Sequence, residues 1–335
     1  MVKRHLQISI NILYVRGVEI KILWEVNMNN KLNFVDERFE LISVIFRLAG
    51  NWEYNIGAGG LDGIEYPFSD EQYTELSKCD FTNSYQLEVA ESFKQYEEHE
   101  AVQFAKSSGL TFSDPFRFAM HIEKDEDKFI FIQDIGSLFY SSWDSEMAEK
   151  FLLLFNNFYK DTNYAKFYTS HIPYFEELTQ KFYDEFYHTI DFDWYSKYID
   201  VSHLHCVLSP SNSATNYAVT VNDRIIYGMV RISSGSILIH EFNHSFANPL
   251  ADEWYKENEE FRKWCDNSVN LEKMPYYNSG SEMAREYVTH AYEVLYAFQH
   301  NQDWEKYLSS VKNIGFENAF PYIGEIYEMV LALEK

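Results

Sequence analysis

Residues 240–244 read His-Glu-Phe-Asn-His, and this spacing constrains the chain more than any other feature in it. Two side chains four apart stand one turn apart on the same face of an α-helix. Two imidazoles placed so can reach a single ion at roughly the 2.0–2.1 Å zinc–nitrogen distance. Glu241 falls one residue further round, beside the ion rather than on it. A carboxylate there can take a proton from a water that zinc acidifies to a pKa of about 7. The bland alternative is a helix with two solvated histidines and no metal.

The flanking residues agree with a helix. Leu238, Ile239, Phe242 and Phe246 give it an apolar side to bury. Ser233, Ser234 and Gly235 end the segment before it, a serine there being a suitable cap, and Asn248-Pro249 reads as its stop. Three short β-rich segments precede it: HLHCVLSP, NYAVTV and RIIYGMVRI, with Asn222-Asp223 as a hairpin turn between the last two. RIIYGMVRI, or its neighbour, is the expected edge strand on which an extended peptide could pair.

A catalytic zinc needs a third protein ligand and an open position. SEMAREYVTHAYEVLY, residues 281–296, is the best source. Glu282, Glu286, His290 and Glu293 share one stripe beside its apolar face. Glu286 is central, with helix on either side to hold it. Glu282 lies near the helix start, where a carboxylate favours the dipole. His290, one turn beyond Glu286, is an alternative ligand or a supporting partner. Each of these acids is otherwise an ordinary solvated helix carboxylate. Tyr276, Tyr277 and Tyr227 are candidates to stabilise charge on a substrate carbonyl, although most of the 26 tyrosines must be packing residues. Asn248 either supports the site or merely ends the helix. His203 and His205 alternate on a supposed strand, with Cys206 pointing away, which is a weak second metal site.

Composition narrows the partners. Twenty-eight Lys and Arg against 52 Asp and Glu give a net charge of −24, which repels phosphate backbones and argues against nucleic acid. Cys79, Cys206 and Cys265 are odd in number and far apart, as in a reducing compartment. No apolar run is as long as a membrane span. The expected location is therefore cytoplasmic, with no membrane partner. Residues 1–27 fit poorly with the rest of the chain. They read as a leader ahead of a true start at Met28, or as a weakly structured segment.

Most of the remaining chain has helical periodicity. A helix is expected over 35–49, with Asp36 as cap and Gly50 as stop. IGAGGLDGIEYP is a loop that misses the GxGxxG pattern. Further helices are expected over 84–107, 144–160 and 163–189, with a short one from SDPFRFAMHI and a solvated turn at EKDEDK, 123–128. Others are expected at about 251–264, 281–298, 303–312 and 321–333. Residues 28–200 thus form a mostly helical part and residues 201–335 a catalytic part, the two packed together or continuous.

HEFNHSFANP followed by REYVTHA resembles an uncharacterised bacterial zincin-like family of the gluzincin type, a domain of unknown function. Its members carry His-Glu-Phe-x-His-Ser-Phe-x-Asn-Pro and a glutamate on a downstream helix. VDERFELISVIFRLAGNWEY and EEHEAVQFAKS are similar to other segments of that family, so the resemblance runs from about residue 30 to about residue 300. It implies a zincin-like metallopeptidase fold, with His240, His244 and Glu286 as zinc ligands and Glu241 as base. His290 departs from the pattern, where an arginine is expected. Many members appear exported, and this chain shows no export signal.

The expectation is a predominantly helical α+β protein of zincin-like fold, with a small β-sheet before the HExxH helix. Its expected function is zinc-dependent hydrolysis of a peptide or protein substrate. The rivals are a zinc-containing binding protein without turnover, a zinc hydrolase of a non-peptide amide, and a metal-free acidic scaffold.

Overall fold

The computed structural model describes residues 33–51, 54–55, 84–111, 113–212, 216–221, 225–229, 235–274, 277–314 and 317–334. The leader reading of residues 1–27, the Gly-rich loop, the Asn222-Asp223 turn and Tyr276 lie outside them. The chain from Asn33 to Lys335 forms one compact unit. It is predominantly helical with a small sheet, which agrees with the α+β expectation.

Helix α1 (Glu37–Leu48) forms the centre of the first half. Asp36 caps it by accepting from Arg38 N at 2.9 Å, and Gly50, at φ 80°, takes the left-handed turn after its end. Ten of its twelve residues are buried, so it is a core helix rather than a half-wet one. Packed on it are α2 (Ser84–Phe93), α3 (Glu100–Ser108) and α4 (Asp114–Met120), and α5 (Ser145–Asp161), α6 (Tyr164–Ser170), α7 (Ile172–Glu185) and the short α8 (Phe192–Tyr195) follow in the chain. Phenylalanine and tyrosine rings fill the space between them, as where Phe118 packs against Phe151 with ring centroids 4.9 Å apart.

Three expected elements divide differently. The helix over 84–107 breaks because the His99 side chain accepts from Ala101 N and starts α3 afresh. The helix over 163–189 breaks at His171, where Pro173 opens the first turn of α7. EKDEDK is not just a solvated turn. It contributes β1 (Ile122–Asp125) and the start of β2 (Lys128–Phe131), an antiparallel hairpin. Glu126 adopts φ 56° at its tip.

The second sheet has the order β3-β5-β4, from β3 (Leu204–Val207), β4 (Tyr217–Val221) and β5 (Ile225–Met229). β3 runs parallel to β5, and β4 runs antiparallel to it. RIIYGMVRI therefore supplies the central strand, and among the described residues its neighbours β4 and β3 are the two edges. Beneath the sheet runs α9 (Gly235–Glu257), packed on both β4 and β5. Pro249 does not end it. That residue sits on the exposed face, where water can satisfy the carbonyl that loses its donor. The break comes at Asn258, whose side chain caps α10 (Glu259–Ser268), so the helix expected over 251–264 is two.

Helix α11 (Gly280–Gln299) is the spine of the second half. It packs against α9, α10, α12 (Trp304–Lys312) and α13 (Ile323–Leu333). Among the described residues no helix is long and apolar enough to cross a membrane.

Candidate metal centre

The centre lies where α9 crosses α11. Leu238 and Phe242 are fully buried, and Phe242 packs edge-on against Tyr195 of α8. Asn243, also fully buried, hydrogen-bonds the Tyr195 hydroxyl at 3.1 Å. From α11, Met283, Tyr287, Val288, Ala291 and Val294 turn into the core. These contacts fix the rotation of both helices, so the polar stripes of α9 and α11 face each other.

On those stripes His240, His244 and Glu286 come together. The two histidine Nε2 atoms are 3.1 Å apart, and the Glu286 carboxylate oxygens lie 3.5 Å from His240 Nε2 and 3.6 Å from His244 Nε2. The three side chains are 13–18% exposed, so solvent reaches the cluster from one side only. Such a group is geometrically able to hold a metal ion.

The other nitrogen of each ring is already engaged. His240 Nδ1 is 3.3 Å from Glu293 Oε2. His244 Nδ1 is 2.9 Å from Asn248 Oδ1 and 3.1 Å from Thr289 Oγ1. The carboxylate and the amide oxygen are acceptors, so each neutral ring carries its proton on Nδ1 and leaves the Nε2 lone pair bare. With both rings neutral, as metal binding requires, two lone pairs and an anion converge on one point. Glu286 Oε2 is buried there without a hydrogen-bond donor of good geometry. A cation resolves that arrangement. The donor set of two imidazoles and a carboxylate suits a divalent metal ion, with Glu293 and Asn248 as the orienting partners such sites carry.

The electrostatics have the same origin. Desolvation favours neutral His240, but Glu293 and Glu286 outweigh it and hold its pKa well above the usual histidine value. Desolvation also works against the Glu286 anion, yet His244, His240 and His290 bring it down to about 2. Glu293 is lowered in the same way by His240 and His290. For His244 burial prevails and the pKa falls. Glu241 is 7% exposed. Desolvation raises it to about 7, with Glu286 and Glu293 adding to the rise and His240 and a backbone hydrogen bond from Ala218 of β4 opposing it.

The other candidates take their places around this cluster. Glu282 is a helix cap: it accepts from Asn278 N at 2.9 Å while Ser279 Oγ accepts from Glu282 N at 3.3 Å. His290 hydrogen-bonds Glu293 through Nδ1. It also belongs to a second group, with His240 and Glu293, whose atoms are close enough for an ion. Tyr277 feels the charges of Glu286 and Glu241, so it stands at the cluster. Nothing is described of the Tyr227 side chain. His203 lies in a 3-10 turn before β3, bonded to Asp200, so the alternation argued for His203 and His205 does not exist. Cys206 and Cys265 are buried and free.

Sequence reasoning leaves Glu293 unassigned on the stripe and prefers Asn248 as a helix end. It gives no sign of Thr289, or of Tyr307, whose hydroxyl donates to Glu293 Oε1 at 2.7 Å. The findable signal is Glu293 itself, a charged residue seven after Glu286 and flanked by apolar ones.

No family model, curated protein or solved structure matches the chain.

Proposed function

We propose that the protein is a zinc-dependent peptidase of zincin-like fold, as the resemblance in residues 240–249 and 285–291 implies. One observation carries the reading: His240 Nε2, His244 Nε2 and the Glu286 carboxylate converge within 3.1–3.6 Å, with the Glu241 carboxylate beside them. His240, His244 and Glu286 would hold the zinc. When bound, zinc supplies Lewis acidity that polarises a substrate carbonyl and acidifies a water.

Glu241 does the proton chemistry. With its pKa near 7, its carboxylate accepts a proton from the attacking water at neutral pH and returns it to the leaving amine nitrogen. Glu293 and Asn248 keep the Nδ1 protons on His240 and His244, so that Nε2 stays a donor of electron pairs. Tyr277, which feels the charges of Glu286 and Glu241, would donate a hydrogen bond to the substrate carbonyl oxygen. β4 lies at one edge of the sheet, and its Ala218 backbone faces the catalytic carboxylate of Glu241.

Hydrolysis of a peptide library by the zinc-loaded protein, beside Glu241→Gln, tests the reading. Cleavage by the native protein and none by the variant is expected. A native protein that binds zinc and cleaves no peptide would favour a binding protein or a hydrolase of other amides.

A further inference from the structure

In an antiparallel pair, alternate residues turn their N–H and C=O to the partner strand and the others turn outward. Ala218 and Thr220 are two apart on β4, and each turns a backbone group away from β5. The Ala218 backbone faces the Glu241 carboxylate. The carbonyl of Thr220 accepts from Arg117 Nη1 at 3.0 Å. Arg117 stands on α4, which packs beside β4. One edge of one strand therefore carries the proposed base at one point and a guanidinium two residues along, ~6.6 Å away at the usual strand rise.

That guanidinium is poorly satisfied. Its Nε is buried with no acceptor, and its contact with Thr220 is a single bond to a neutral carbonyl at the surface. Among the described residues Arg117 forms no ion pair, although the chain has 52 acidic side chains. Arg38 and Arg285 both grip an aspartate, at 2.7 and 2.8 Å. The nearest acid influencing Arg117 is Asp114, one turn back on α4. Asp114 faces the backbone amides of Thr111 and Ser142, at 3.5 and 3.4 Å. Burial lowers the Arg117 pKa and the Asp114 charge only partly opposes it, yet arginine stays charged at any physiological pH. The guanidinium has donors beyond its bond to Thr220, and a carboxylate is the partner that suits them.

The geometry points to Arg117 as a specificity residue that receives a carboxylate of the substrate close to the proposed base. This rests on the peptidase reading for its substrate and names the class: acidic peptides. The carboxylate is either a Glu or Asp side chain or the free end of the chain. An acidic protein repels such substrates in general, so a site for them requires a local cation of this kind.

The test uses blocked octapeptides carrying one Glu, or its isostere Gln, at successive positions. Matched peptides end in a free acid or an amide. Hydrolysis is followed with the zinc-loaded protein, and binding by fluorescence anisotropy with zinc-loaded Glu241→Gln. One acidic position, or the free-acid end, should be favoured by about tenfold to a hundredfold. Which of the two is favoured identifies the source of the carboxylate. Arg117→Met should abolish the preference and leave Gln peptides unaffected. Arg117→Glu should reverse it, so that Gln peptides outrun their Glu counterparts, which a merely structural role of Arg117 would not do. No acidic preference in either assay, or the same preference in the Arg117 variants, would overturn the assignment. If no peptide is cleaved but Glu peptides bind in an Arg117-dependent way, the peptidase reading falls and the carboxylate site stands.

Discussion

Glu293 Oε2 stands 3.3 Å from His240 Nδ1, while the other nitrogen of the same ring faces His244 Nε2 at 3.1 Å. That pairing decides which face of His240 is protonated and which is offered to an ion. Glu293 is fixed in turn by Tyr307 and His290. The cluster is thus two layers deep, and its outer layer sets the chemistry of the inner one.

Replacing Glu293 by Gln tests that relation. The amide is a weaker acceptor and no longer carries charge, so His240 loses its tautomeric bias. Zinc affinity should fall by about tenfold to a hundredfold, read by competition with a chromophoric chelator. Circular dichroism should remain native. An unchanged affinity would make Glu293 a packing residue.

Asn248→Ala probes the equivalent partner of His244. Thr289 Oγ1, at 3.1 Å, can take over part of the bond, so a smaller loss of affinity is expected than for Glu293→Gln. Combining Asn248→Ala with Thr289→Val should lose more than the sum of the two single losses, because each residue covers for the other. Additive losses in the same chelator competition would show that the two act independently.

How much of this site is legible in the sequence depends on range. The HExxH helix and the central position of Glu286 come from a 3.6-residue period, which is local. Glu293 is visible as a member of the stripe, but its role needs the crossing of α9 and α11, which no local pattern encodes. Asn248 is obscured by Pro249. A proline normally argues for a helix end, and here the exposed face tolerates it. EKDEDK hides a hairpin because its charged residues face water while Ile122 and Phe129 turn into the core. β4 rather than β5 becomes an edge because β3 pairs with β5 in parallel, a long-range choice.

A buried acid far from the cluster predicts how stability varies with pH. Glu40 of α1 is fully buried. Desolvation raises its pKa from an ordinary 4.5 to about 7, with Ser209, Ser211 and Tyr85 only partly offsetting it. Ser209 donates to its Oε1 at 2.7 Å, while Oε2 has no partner. The folded protein therefore holds a proton that the unfolded chain releases between pH 4.5 and 7. Across that window this group's contribution to stability falls as pH rises, by ~3 kcal/mol in order of magnitude. Glu40→Gln keeps the Oε1 acceptor and removes the ionisation. Urea unfolding at about pH 5 and about pH 8 should show the variant gaining on the native protein at the higher value. An equal difference at both values would contradict the assignment.

Phe242 tests the packing that aims the cluster. It is fully buried between α9 and Tyr195, and Phe242→Ala should cost about 3–5 kcal/mol of stability, measured by chemical denaturation. A loss below about 1 kcal/mol would mean that α9 is held by other contacts.

The most direct measurement is bound metal. Protein purified without chelators or a histidine tag, and its His240→Ala variant, should be analysed by elemental mass spectrometry after incubation with zinc and desalting. The account predicts about one zinc per chain in the native protein and none retained in the variant. A native protein that retains no metal, or a variant that retains as much, would contradict it.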